Sequence, residues 1–169
     1  MTTRRTSIAI AAVGALAVCV AGCGSSSPSS GSTAQAQAST TPTGNYANQY
    51  MADVAPANTA FTKFGTAFKA WSNTSGTAAQ TTAFVTPAVA AIQAFNQKVL
   101  AQSWPTSDRA DVHALVAAAA AMSGDLSGLP SVNILDVSSW ATQLTHDASI
   151  QSSAANTVRS DLGLPPKSN

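Results

Sequence analysis

The chain has 169 residues, a length that favours one folded domain. Apolar residues make up 45% of it and charged residues only 9%, against about a quarter in an ordinary soluble protein; Ala, Thr and Ser fill the difference. The formal net charge is +1, and the acids are aspartates without one glutamate, which leaves neither a basic patch for nucleic acid nor an acidic field for cations.

Met1 to Ser7 carries Arg4 and Arg5 and no acid, and Ile8 to Val20 is uncharged and apolar. That run is shorter than the roughly 20 residues a membrane-spanning helix needs. A basic start followed by a short apolar run predicts a secretory signal. Thr6-Ser7-Ile8 fits the twin-arginine pattern poorly, so the general secretory route is expected. The run ends in Val20-Ala21-Gly22-Cys23, which resembles the lipobox of bacterial lipoproteins. The resemblance implies cleavage after residue 22 and a diacylated Cys23 anchored on the outer face of the cytoplasmic membrane. Both cysteines, Cys19 and Cys23, lie here, so no disulfide is expected in the folded part. Without residues 1–22 the chain keeps six cations (Lys63, Lys69, Lys98, Arg109, Arg159, Lys167) against seven aspartates, a net charge of −1.

Residues 23–44 form the next unit. Gly24 to Gly44 is Ser, Thr, Gly, Pro, Ala and Gln, with no charge and no large apolar side chain. Such a segment cannot bury a core, and a disordered stalk is expected. As a coil of about 21 residues it would span roughly 25 Å.

From Tyr46 the pattern changes. Tyr50, Val54, Ala57, Phe61, Phe64, Phe68 and Trp71 recur at alternating steps of four and three, which predicts one apolar stripe on a first helix. Asn73 to Gly76 reads as a turn. Val85, Ala88, Ile92, Phe95 and Val99 repeat the spacing on a second helix, which Trp104-Pro105 ends. Pro56 and Pro87 either kink these two helices or mark their starts, with Thr86 as a possible cap. Thr106 or Ser107 can cap a third helix, with Asp108 and Asp111 near its positive end. Its stripe is Val112, Leu115, Ala119, Met122 and Leu126, and Gly124, Gly128 and Pro130 are expected to break it. Its small residues, Ala117 to Ala121, would face the aromatics of the first helix. The fourth helix starts near Asp136 to Ser138 and carries Val137, Trp140, Leu144, Ala148, Ala155, Val158 and Leu162. Gly163 is placed to end it in the left-handed conformation, with Leu164 folding back onto Val158. Ser131 to Leu135 is the one candidate strand, and a lone strand is not stable. The prediction is an all-α fold, an antiparallel up-down-up-down four-helix bundle over residues 45–164 with a short tail at 165–169.

The lipobox, the Ala/Thr-rich helices, the Trp104-Pro105 break and the ending Val158 to Pro166 together resemble small secreted lipoproteins of actinobacteria, including mycobacteria. The resemblance covers most of the chain, with the lipobox as its specific part. It implies a location and a helical fold, and it carries over no functional residue except Cys23.

Few side chains suggest chemistry. His113 and His146 could ligate a metal or haem from facing helices. They lack the paired spacing of a metal site, which favours solvated histidines and no cofactor. With Cys23 acylated no thiol is left, and no Gly-x-Ser-x-Gly elbow exists, so no catalytic residue is assigned. Asp53, Asp108, Asp111 and Asp125 read as helix-end caps. Asp147 falls near the inner stripe of the fourth helix, where a partner such as Arg109, Arg159 or His113 would be needed. Phe61, Phe64, Phe68 and Trp71 could line an apolar pocket opened by the prolines, though core packing is the simpler reading. The segments around Pro56 and Pro87 are the preferred contact region. The composite expectation is a lipid-anchored, non-catalytic module of the cell envelope that works by binding or structural interaction, its partner an unknown envelope protein or a small apolar ligand. The alternatives are a carrier of a small apolar ligand or haem, and an envelope hydrolase.

Overall fold

The computed structural model describes residues 45–74 and 76–167. Four α-helices follow one another: α1 (Tyr46–Thr74), α2 (Ala78–Ala101), α3 (Arg109–Gly128) and α4 (Val137–Asp161). A 3-10 turn at Leu129–Ser131 follows α3, and no strand occurs among the described residues. Ser131 to Leu135, the candidate strand, closes that turn and continues as loop. The expected signal, Val20, Ala21, Gly22, Cys23 and the stalk lie outside the described residues.

Of the two roles left open for Pro56 and Pro87, marking a helix start is the one the structure excludes. Pro56 and Pro87 both sit inside helices, and both are exposed. Each removes one backbone donor, and exposure lets water serve the carbonyl left over. Thr86 caps nothing. Instead α2 begins at a capping box: Gln80 N–H reaches Thr77 Oγ1 at 3.4 Å, and Thr77 N–H donates to Gln80 Oε1 at 2.7 Å. Trp104 does more than precede a proline. It is buried, donates from Nε1 to the Val99 carbonyl at 2.6 Å, and stacks on Tyr46 with ring centroids 5.5 Å apart.

The third helix also departs from its expected limits. Asp108 is its N-cap residue and makes no side-chain capping bond; Ser107 Oγ donates to the Asp108 carboxylate instead. The helix runs through Gly124 and stops only after Gly128. Of its alanine run, Ala118 and Ala119 are buried, while Ala117, Ala120 and Ala121 are exposed. By length and composition the stretch Arg109–Ser131 is apolar enough to cross a membrane, but close to half of it is buried inside the fold.

The end of α4 matches the sequence closely. Gly163 has φ +67°, Gly163 N–H bonds the Ser160 carbonyl at 3.0 Å, and Leu164 N–H bonds the Arg159 carbonyl at 2.8 Å. These are the two bonds of a Schellman motif. A Cβ at Gly163 would meet nothing within 4 Å, so its cost would come from the backbone alone. Gly163→Ala is therefore expected to destabilise the fold by about 1–2 kcal/mol, measured by thermal unfolding.

The stripes bury two apolar clusters. One holds Phe61, Phe64, Phe68, Ile92, Met122, Leu126 and Leu144; the other holds Tyr50, Phe95, Val99, Trp104, Leu115 and Val158. A fully buried side chain of this size is worth about 1.5–3 kcal/mol. Helices adjacent in sequence pack along one another, α1 on α2, α2 on α3 and α3 on α4. The backbones of α1 and α4 stay farther apart, and side chains bridge them: Phe68 meets Trp140 at 5.3 Å between ring centroids.

Candidate functional site

The open seam between α1 and α4 creates a cleft between the two apolar clusters. Its floor includes Phe61, Ile92, Phe95 and Met122, and its rim includes Asn58, Gln151 and Lys167. Its volume is about 40 Å³, which is room for a water molecule or a methyl group rather than a drug-sized ligand. Val54 and Ala57, on either side of Pro56, also line it.

The tail after α4 folds back along this seam. Arg159 Nε donates to the Pro165 carbonyl at 2.7 Å, and Lys167 N–H donates to Asn156 Oδ1 at 2.8 Å. Leu164 packs against the cluster that contains Tyr50 and Val158. Arg159 Nη1 also reaches Met51 Sδ on α1 at 3.2 Å. Burial raises the Tyr50 phenol to about 12, and the positive charge of Arg159 works against that rise.

A second cleft, of about 390 Å³, lies beneath the α2–α3 connection, with Gln102, Ser103, Arg109 and His113 on its walls. Arg109 Nε donates to the Trp104 carbonyl at 3.1 Å. Gln102 Nε2 donates to Asp53 Oδ2 at 2.6 Å, and Lys98 Nζ lies 3.6 Å from Asp53 Oδ1. Asp53 is thus a mid-helix acceptor that ties α1 to α2, not a helix cap.

The residues singled out from sequence disperse. Phe61 lines the apolar cleft, whereas Phe64 and Phe68 are core and Trp71 packs partly buried against it. His113 and His146 are both exposed, and among the described residues no three His, Cys, Asp or Glu side chains gather as a metal site would require. Asp147 meets none of the three partners proposed for it. Its neighbours are Gln143, whose Nε2 donates to Asp147 Oδ1 at 3.2 Å, and the carboxyl of Asp125. Asp125 is therefore not a simple helix-end cap. Burial, and then the Asp147 carboxyl beside it, push the Asp125 carboxyl above the usual range. The Asp125–Asp147 pairing was missed because the two residues stand on different helices, and no local spacing signals it.

No family model, curated protein or solved structure matches the chain.

Proposed function

We propose that the chain is a lipoprotein held on the outer face of the cytoplasmic membrane through Cys23. In this reading residues 45–164 form an antiparallel up-down-up-down bundle that binds an envelope protein without catalysis. The antiparallel order is supported by contacts between opposite helix ends. Tyr46 Oη at the start of α1 donates to the Ser103 carbonyl just after α2, at 2.8 Å. Trp71 near the end of α1 meets Phe84 near the start of α2. Trp140 Nε1 near the start of α4 donates to the Asp125 carbonyl near the end of α3, at 2.7 Å.

The observation that favours binding is the cleft of the α1–α4 seam, with an apolar floor and a polar rim beside Pro56. Interfaces commonly combine an apolar centre with such a rim. A photoreactive amino acid at Asn58, on that rim, should give adducts with an envelope protein in intact cells. The same group at Gln97, exposed on α2, should not. Equal labelling from both positions would place the contact surface elsewhere. The apolar floor also favours a second reading, a carrier of a small apolar ligand. With about 40 Å³ available, that reading requires the seam to widen on loading.

A further inference from the structure

Five of the seven aspartates gather along the α3–α4 seam, in two groups. Asp108, Asp111 and Asp161 stand at one end, and Asp125 and Asp147 lie toward the other. The second group is the more confined. Asp125 and Asp147 are both half-buried and within hydrogen-bonding reach of each other. One oxygen of Asp125, Oδ2, is fully covered and receives no N–H or O–H. Trp140, on α4, fixes the local spacing by donating from Nε1 to the Asp125 carbonyl.

Among the described residues the charge that acts on Asp125 is another carboxylate, that of Asp147, not a cation. The elements packed on α3 are α2, α4 and the 3-10 turn. The only charged side chain in α2 is Lys98, which is paired with Asp53, and the 3-10 turn has none. On α4, His146 is exposed, and Arg159 and Asp161 lie near the far end; the cap residue Asp136 is exposed. Lys63 and Lys69 of α1 are exposed as well. A covered carboxylate oxygen without a donor is costly, and two touching carboxylates repel. One proton shared between them supplies the missing donor and removes one charge.

We propose that Asp125 and Asp147 act as a single proton-binding unit that clips α3 to α4 while it holds a proton and loosens that end of the seam when the proton leaves. The folded state then binds this proton more tightly than the unfolded chain does. The stabilisation is complete at and below the ordinary carboxylate range and is lost as pH rises through the pair's folded-state value. On the proposed reading the chain stands outside the cytoplasmic membrane, where it meets such pH changes directly, which makes the pair a sensor of mild acid.

The test uses the full chain in detergent micelles. Side-chain carboxyl ¹³C resonances of Asp125 and Asp147 are followed across pH, and thermal unfolding is measured between pH 4.5 and 7.5. The wild-type pair should titrate in two linked steps, one above the ordinary aspartate range. The unfolding temperature should fall as pH rises. Asp147→Asn should leave one step and shrink that pH dependence, whereas Asp136→Asn should leave both unchanged. Asp161, raised by burial and by Asp111 and Asp108, contributes a slope of the same sign that Asp147→Asn leaves in place. Independent titration of both groups in the ordinary range, or an undiminished pH dependence in Asp147→Asn, would overturn the proposal.

Discussion

Replacing Phe64 with alanine is expected to destabilise the helical domain by about 3–5 kcal/mol, the usual cost of emptying a buried aromatic site. Phe64 is only 2% exposed, and its ring centroid lies 5.8 Å from Phe61, 5.8 Å from Phe68 and 5.7 Å from Phe84. Truncation therefore removes the centre of an aromatic run that joins α1 to α2. The neighbouring rings are rigid and cannot collapse far into the space, which keeps the cavity contribution large. In a domain of this size the loss should lower the unfolding temperature by roughly 10–20 °C. Leu135→Ala gives the contrast: Leu135 is 77% exposed, so its truncation should change stability by less than about 0.5 kcal/mol. Equal effects of the two substitutions would mean that the stripe of α1 does not face the core.

The same stripe shows why the helices were readable. Tyr50, Phe61, Phe64 and Phe68 are buried, as are Val85, Ala88, Ile92, Phe95 and Val99 of α2 and Val112, Leu115, Ala119, Met122 and Leu126 of α3. A repeat near 3.6 residues leaves little choice of secondary structure or of inward face. Helix limits were less legible, because the breakers had competing signals. Proline at 87 suggested a start, yet Thr77 and Gln80 already satisfy backbone donors at the true one. Gly124 suggests an end, yet Leu126, two residues later, is fully buried and holds α3 in register.

Polar side chains were hardest to place, since their partners come from packing. Asp147 called for a cation by its position near the inner stripe, and the fold gave it Asp125. Asp53 looked like a cap before Pro56 and proved to join Gln102 and Lys98. The α1–α4 cleft had one legible element, the line of α1 residues around Pro56. The contribution of Lys167 was not legible, because it depends on the Schellman turn sending the tail back along α4. A local motif thus determines what covers a distant seam.

Cys23→Ala is expected to remove the lipid anchor, and it separates two ways the chain could be held at membranes. One is lipid on Cys23, which the motif Val20-Ala21-Gly22-Cys23 supports. Acylation contributes about 0.8 kcal/mol per buried methylene, and two chains suffice for stable anchoring where one gives only reversible binding. The other is insertion of α3, whose length and hydropathy meet the requirement for a spanning helix. Insertion would forfeit the burial of Val112, Leu115, Met122 and Leu126 against neighbouring helices. It would also take Asp111 and Asp125 toward hydrocarbon, at a cost of several kcal/mol. Among the described residues the large exposed apolar side chains are few and scattered: Met51 on α1, Leu100 on α2, the neighbours Ile134 and Leu135 in the loop before α4, and Ile150 on α4. So few residues, so spread, do not form a contiguous membrane-binding face. Wild-type protein should therefore partition into the detergent phase, and Cys23→Ala should either enter the aqueous phase or remain uncleaved with its signal attached. A cleaved Cys23→Ala protein still recovered with membranes would transfer the anchoring role to α3.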